Sequence, residues 1–258
     1  MNLWMVASGG CIGFLVGMTG VGAGSLTTPM LIFAFGLPPA VAVGTDLLFA
    51  CLTKATAAWR HQRLANIDWR ILQWLACGSL PGAVAVLAAL YIFKPETEVL
   101  ARAIRTMLAY SLVVSAGANI LYPWLAGRHV QSASGLMRSN PRKPATIALG
   151  ALLGSLVALT SVGAGAIGAV ILMLLYPSLV ARRLIGTDIV HAIPLTFLAG
   201  MGHLGMGSID FRVLGLLLLG SVPGIALGSR MTSIVPDWLL RLALAIVLLI
   251  AGIVLLRR

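Results

Sequence analysis

Eight long apolar blocks, separated by connections that are mostly short, constrain the fold of this chain more than any other feature. A membrane-spanning helix needs about 20 apolar residues. Only 10% of the residues are charged, whereas soluble domains contain about 25%. The sequence therefore predicts an all-α polytopic membrane protein with no room for a soluble catalytic domain. The blocks run over 2–36, 39–60, 70–93, 98–125, 145–177, 184–208, 212–232 and 237–256.

The basic residues lie in short runs between the apolar blocks. Lys and Arg number 18 against 7 Asp and Glu, an excess that would suggest nucleic-acid binding in a soluble protein. Between membrane segments such residues set topology and contact lipid headgroups. We therefore expect membrane lipid, and no nucleic acid, as their partner.

The sequence carries no signature of a metal or cofactor site. Cys11, Cys51 and Cys77 lie in apolar stretches without C-x-x-C spacing, so we expect them to pack as small hydrophobic side chains. The four histidines lack H-E-x-x-H spacing, and the acidic motifs lack the G-x-G-D signature of intramembrane aspartyl proteases. We expect no cofactor, no metal and no enzymatic activity.

The second half of the chain repeats the motifs of the first half in the same order. Such self-similarity at a spacing of 141 or 142 residues indicates an internal duplication. We predict two homologous four-segment membrane repeats, residues 1–126 and 145–258, joined by a polar linker over 127–144. The matched motifs are Val-Gly-Ala-Gly at 21–24 and 162–165, Gly-Thr-Asp at 44–46 and 186–188, Ile-Asp at 67–68 and 209–210, and Gly-Ser-x-Pro-Gly at 78–82 and 220–224.

The first block of each repeat is too long for one crossing and carries glycines near its middle. Each glycine costs a helix about 1 kcal/mol relative to alanine, so we predict two half-helices per block, the second beginning at Ser25 or Ala166. Irregular backbone at membrane depth survives only where protein buries it or where it lines a cavity. A half-helix that begins there offers unpaired N–H groups to an anion.

Discontinuous helices at matching positions of two repeats indicate a transporter binding site. The candidate substrate-binding residues therefore lie at the two breaks, with Thr19 and Thr27 close by in sequence. They are Gly22, Gly24, Ser25 and Thr28 in the first repeat and Thr160, Ser161, Gly163 and Gly165 in the second.

The glycines admit two other interpretations. A dinucleotide fingerprint requires G-x-G-x-x-G after a strand, but Gly24 is followed by Thr27 within an apolar segment. Close helix packing fits glycines that recur every four residues on one helical face, and we predict it for two sets. They are Gly9, Gly13 and Gly17, and Gly220, Gly224 and Gly228.

Four of the seven acidic residues form two repeat-related pairs. Asp68 and Asp210 lie in polar connections, where capping of the following helix is the expected role. Asp46 and Asp188 each precede a long apolar run. Either they carry coupling protons inside the membrane, where a carboxylate marks function, or they cap the start of the next helix near an interface.

Two basic side chains lie in the same segments. Lys54 follows Asp46 by two helical turns, so it could neutralise Asp46, bind an anion or extend to the interface. His191 lies one turn after Asp188 and could belong to a proton relay or be a buried core histidine. Lys54 therefore joins the substrate-binding candidates, and His191 joins the two aspartates as a proton-coupling candidate.

The relative orientation of the repeats depends on the broken blocks. If each broken block crosses the membrane once, the two repeats are parallel. If each folds back as a re-entrant hairpin, the repeats are inverted about an axis in the membrane plane. We favour the hairpin because the segment after each break is short.

These motifs resemble the TauE/SafE sulfite exporter family. The resemblance rests on the run Gly13 to Gly24 followed by Pro29, on the two Gly-Thr-Asp motifs and on the two Gly-Ser-x-Pro-Gly motifs. It implies that Thr45 and Thr187 also belong to the substrate site. Many family members have serine or another small residue after Gly-Thr, so Asp46 and Asp188 distinguish this chain from them.

The resemblance implies a multi-pass protein of the bacterial inner membrane that exports a small sulfur-containing anion. With the residues above, we expect a secondary transporter of sulfite or an organosulfonate that works by alternating access, with possible proton coupling. An anion channel, or a transporter of another small anion or metabolite, is the alternative.

Overall fold

The protein is described from a computed structural model, which covers residues 2–19, 24–63, 67–132, 142–231 and 236–257. The regular structure in these ranges is helical. The helices are α1 (Asn2–Thr19), α2 (Gly24–Phe33), α3 (Pro39–Arg63), α4 (Trp69–Phe93), α5 (Thr97–Ser132), α6 (Lys143–Thr160), α7 (Ala166–Leu175), α8 (Ala181–Gly205), α9 (Phe211–Met231) and α10 (Asp237–Leu256).

The all-helical membrane fold predicted from the sequence is confirmed. Within the described ranges, six helices are long and apolar enough to cross a membrane: α4, α5, α6, α8, α9 and α10. Large apolar side chains such as Ile246, Ile250 and Phe93 are exposed on the helix surfaces. Exposed apolar side chains in this number suit contact with lipid.

The helices follow the apolar blocks with one difference in the middle of the chain. The predicted linker begins at residue 127, but α5 continues to Ser132. Neither Gly127 nor the polar residues after it stop the helix, because i to i−4 bonding continues where no proline removes a donor. Residues 133–141, the centre of the predicted linker, lie outside the described residues.

The helices of the two halves correspond in order and length. Helices α2 and α7 both have 10 residues, and α3 and α8 both have 25. In each half, the short helix is the second part of the broken first block. The duplication itself stays a prediction from the sequence.

Helices α6 and α7 form a hairpin whose two ends lie together. Thr146, in the first turn of α6, shares a 2.6 Å hydrogen bond between its hydroxyl and that of Tyr176, the residue that ends α7. The chain therefore enters along α6, turns at residues 161–165 and returns along α7 to the end from which it came.

Equivalent helices of the two halves run in opposite directions. Helices α3 and α8 are antiparallel, because Leu48 faces Gly200 whereas Cys51, further along α3, donates to Ile193 O at 3.8 Å. Helices α5 and α10 are likewise antiparallel: Arg241 lies 3.3 Å from the ring centre of Tyr122, and Gly252 packs against Ala109. Together with the α6–α7 hairpin, this geometry favours the inverted arrangement of the predicted repeats over the parallel one.

Glycines bring the backbones of two helix pairs into contact. Gly9, Gly13 and Gly17 of α1 face the α9 backbone at Leu217, Ser221 and Ile225, and Gly220, Gly224 and Gly228 of α9 face α1 in return. The predicted close packing of these two sets is confirmed. In the other half, Gly150 and Gly154 of α6 face the α4 backbone at Leu75 and Ser79. Each broken segment is thus anchored to a full-length helix of the opposite half.

We predict that Gly154→Ala destabilises the protein. The added methyl group would contact Ser79 O and lie 2.7 Å from Ser79 Cα, so α6 would have to move away from α4. Overpacking of this kind costs about 1–3 kcal/mol, which thermal unfolding of the detergent-solubilised protein measures. Gly117→Ala in α5 is the matched control, since a methyl group there has nothing within 4 Å. Equal melting temperatures for Gly154→Ala and wild type would contradict the packing.

Candidate functional site

The second helix break is a tight turn between α6 and α7. Ser161 has φ of 60°, and Gly163 and Gly165 have φ of 135° and 140°, values that favour glycine because they crowd a Cβ atom. The Thr160 hydroxyl donates to Leu156 O at 2.7 Å and accepts from Val162 N at 3.2 Å. This threonine therefore holds the turn through the backbone.

The first break is described only on one side. Residues 20–23, which include the candidate Gly22, lie outside the described residues, as does the side chain of Thr19. Helix α2 begins at Gly24, one residue before the predicted start, and α7 begins at Ala166, as predicted.

Asp46 lies against the beginning of α2. Its Oδ2 accepts a 2.5 Å hydrogen bond from the Thr28 hydroxyl, and a methyl group added at Gly24 would be 3.3 Å from the same oxygen. The carboxylate is fully buried, and its Oδ1 has no hydrogen-bond partner among the described residues. Ser161 of the opposite half reaches the same place, since its Oγ would be 3.1 Å from that methyl group.

Asp188 lies against the beginning of α7 in the corresponding way. Its Oδ1 contacts the position where Gly168 would carry a Cβ, and the backbone amide of Gly165 interacts with the carboxylate. Asp188 is 1% exposed, and Oδ1 finds no hydrogen-bond partner in the described part of the chain. Each half-helix therefore begins next to a carboxylate supplied by the following helix.

The interfacial-cap interpretation of Asp46 and Asp188 is wrong. Both residues lie several positions inside their own helices, α3 and α8, which begin at Pro39 and Ala181. Burial at these positions is complete or nearly so, because the short half-helices pack over them.

The capping roles predicted for Asp68 and Asp210 are confirmed. Asp68 accepts from the backbone N–H groups of Arg70 and Ile71 at 3.1 and 3.2 Å, and it also pairs with Arg183 at 3.1 Å. Asp210 accepts from Val213 N at 3.0 Å. These two acids lie at helix starts and not in the central site.

Lys54 connects α3 to the second break. Its ammonium group donates to Ala164 O at 3.0 Å and is close enough to Asp188 and Asp46 to interact electrostatically with both. The side chain is 7% exposed, so it does not extend to the interface. Three of the predicted site residues, from both halves, are thus brought together.

His191 is buried beside this group. Its Nε2 shares a 2.6 Å hydrogen bond with the Ser79 hydroxyl of α4, and its Nδ1 has no partner among the described residues. It also interacts with the charge of Lys54. Sequence reasoning did not select Ser79 for the site, although this serine belongs to the first Gly-Ser-x-Pro-Gly motif.

Thr45 and Thr187 point away from the breaks. The Thr45 hydroxyl accepts from Asp210 N at 3.0 Å, and the Thr187 hydroxyl accepts from Asp68 N at 2.8 Å. Each Gly-Thr-Asp motif therefore binds the start of a capped helix in the opposite half. These contacts link the halves and do not bring either threonine hydroxyl to the central group.

A small cavity lies at the second break. Its volume is about 10 Å³, which is about the space that one water molecule occupies. The sequence analysis did not predict Ser115 of α5 as a site residue. The pattern that could have indicated it is the recurrence of Ser111, Ser115 and Asn119 every four residues on one face of α5. The cavity is lined by Ser25, Ser115, Ser161, Val162, Gly163, Ala164, Gly165 and Ala166.

The described residues contain no cluster of His, Cys, Asp and Glu that could hold a metal ion. Cys11 and Cys77 are exposed and Cys51 is buried. The central group is therefore two carboxylates, one ammonium, hydroxyls and the ends of two helices. Such a group can bind a small anion and exchange protons.

Comparison with known proteins identifies the class of molecule that has this fold and site. The model of the sulfite exporter TauE/SafE family matches residues 5–255. The chain belongs to this family of membrane transporters.

Curated relatives match over the whole length. The probable membrane transporter protein YjnA of Bacillus subtilis (strain 168) is 33% identical over 253 residues, which covers 98% of this chain and 99% of that protein. The probable membrane transporter protein YdhB of the same organism is 25% identical over 245 residues, with 95% and 96% covered. No solved structure matches the chain.

We predict that Thr187→Val lowers stability without altering substrate affinity. The substitution leaves the partly buried Asp68 N–H without its acceptor, which costs about 1 kcal/mol. Thermal unfolding and the KM of transport measure the two effects. Thr196→Val is the control, because that hydroxyl bonds to Ala192 O in its own helix. A raised KM with an unchanged melting temperature would instead assign Thr187 to the substrate site.

Proposed function

We propose that this protein is a secondary transporter that exports a small sulfur-containing oxyanion, sulfite or an organosulfonate, across the bacterial inner membrane. The observation that carries the proposal is the central group. Lys54 and the starts of α2 and α7 meet there in a buried site with unpartnered polar atoms. Sulfite is included among the proposed substrates because the family is described as a sulfite exporter family.

The chemistry of the site supports an anionic substrate. The start of a helix carries partial positive charge and free N–H groups, and here two starts converge beside a lysine. The Ser161 hydroxyl, which is 6% exposed and interacts with Asp46, is a further donor. Tetrahedral and pyramidal oxyanions accept several such donors at once.

The small volume of the cavity supports a carrier over a channel. A space the size of one water molecule cannot admit sulfite without movement of the surrounding helices. Inverted halves that meet at a central site provide two related ways to open it, one toward each side of the membrane. We therefore assign alternating access as the mechanism.

The proposal gives the charged residues separate roles. Lys54 compensates the charge of the bound anion. Asp46 and Asp188 carry the coupling protons, because each carboxylate is buried and has an oxygen that no described residue binds. His191, which faces Lys54 and is held by Ser79, passes protons to the carboxylates.

Flux in proteoliposomes tests the proposal. Sulfite uptake is measured with and without an imposed pH gradient, with methanesulfonate, sulfate and chloride as competitors. We expect saturable sulfite flux that methanesulfonate inhibits and chloride does not. Flux no higher than that of empty liposomes for every anion would disprove the transport of these substrates.

We predict that Lys54→Met lowers kcat/KM for sulfite by about 10-fold to 100-fold. A hydrogen bond to a charged group contributes about 1.5–3 kcal/mol, and methionine retains the length of the side chain without its charge. The control is Lys94→Met at the exposed end of α4, which we expect to transport like wild type. Wild-type kinetics for Lys54→Met would remove the lysine from the site.

A further inference from the structure

The protein's own carboxylates already occupy the two places where a substrate anion would bind. Asp188 contacts Gly165 and Gly168 at the start of α7, and Asp46 binds Thr28 beside Gly24 at the start of α2. A carboxylate at a helix start satisfies the same N–H groups and partial charge as an oxyanion would. An incoming anion and these side chains therefore compete for one set of donors.

We propose that Asp188 is a built-in competitor of the substrate, so that each monovalent anion binds together with one proton and both cross the membrane in the same direction. The inference rests on the proposed function and specifies its coupling. Protonation turns the Asp188 carboxylate into a neutral acid, which releases Lys54 and the start of α7. The anion then takes the place of the lost negative charge.

The count of charges in the site requires this proton. Asp46, Asp188 and Lys54 together carry a formal charge of −1 when all are ionised. A bound monoanion would change the net charge of the site from −1 to −2, and a second net charge in a buried site is costly. One proton taken up on Asp188 returns the site to −1, so the charge is the same before and after binding.

The neighbouring helices bring few other titratable groups to this place. Helix α8 contributes His191, which is held by Ser79 of α4, and α3 contributes Cys51, which interacts with Lys54. The groups that interact with Asp46 from α2 and from the second break are hydroxyls, namely those of Thr27, Thr28 and Ser161. Ser115 of α5 lines the cavity at that break. In the described residues, the two aspartates are therefore the carboxylates available for a coupled proton.

The two aspartates are not equivalent. Lys54 interacts with both aspartates, but its ammonium group is anchored to Ala164 in the turn that leads into α7. The residue of α8 that corresponds to Lys54 is Thr196. Lys54 therefore lies on the Asp188 side of the site, and on that side the substrate anion competes with a carboxylate.

The experiment measures binding of methanesulfonate to the purified protein as a function of pH. Methanesulfonate is the probe because its charge does not change between about pH 5 and pH 8, whereas sulfite itself titrates in this range. Linkage of one proton to one anion weakens binding about tenfold per pH unit above the pH at which Asp188 ionises. In proteoliposomes, an inward methanesulfonate gradient should carry protons inward.

Asp188→Asn is the deciding variant. The neutral amide cannot compete as an anion, so we expect methanesulfonate affinity at about pH 8 to equal or exceed that of wild type at about pH 5, with the pH dependence lost. Anion exchange should persist while net proton movement stops. Asp210→Asn is the matched control, since asparagine also caps helices well, and it should retain the wild-type pH dependence.

Each contrary result is informative. Wild-type affinity that does not change with pH, or proton movement opposite to the anion, overturns the inference even if sulfite is transported. Loss of binding in a folded Asp188→Asn protein, judged by its melting temperature and its elution from a sizing column, overturns it as well. Absence of binding and flux for all anions in wild type refutes the proposed function instead.

Discussion

A helix that begins inside a membrane must find partners for its first N–H groups, and this requirement organises the whole structure. Water satisfies such groups at a surface, but the hydrocarbon core offers none. Here the backbone amide of Gly165 at the start of α7 interacts with Asp188, and the Thr28 hydroxyl at the start of α2 donates to Asp46. Both aspartates come from the next helix in their half. The carboxylates are tolerated at this depth because the helix starts and Lys54 compensate their charge.

The arrangement requires helices to approach unusually closely. Gly168 lets the Asp188 carboxylate touch the backbone of α7, and Gly24 lets α2 approach the backbone oxygen of Ser161. The glycines of α1, α6 and α9 let the broken segments lie against full-length helices of the other half. Thr45 and Thr187 then join the start of a helix in one half to a Gly-Thr-Asp motif of the other. The Gly-Thr-Asp motifs therefore serve both the fold and the site. Their threonines join the two halves, and their aspartates lie in the central group.

The features that sequence reasoning predicted are those encoded by neighbouring residues. The length of the apolar blocks predicts the helices, and the glycines predict the break before Ala166. A polar residue in front of an apolar run predicts the helix caps at Asp68 and Asp210. Contacts between distant segments could not be predicted this way. The bond from Lys54 to Ala164 joins residues 110 positions apart, and that between Ser79 and His191 spans 112. The depth of Asp46 stayed open between two alternatives, because nothing local shows that α2 packs against α3.

The charge balance of the site bears on what export means for this protein. If a monovalent anion moves with one proton, the cycle carries no net charge, so the membrane potential does no work on it. The direction then depends only on the anion gradient and the pH gradient. A cell that accumulates the anion drives it outward, and each exported anion removes one proton from the cytoplasm. Such a carrier exports acid and anion together whenever the outward anion gradient exceeds an inward proton gradient.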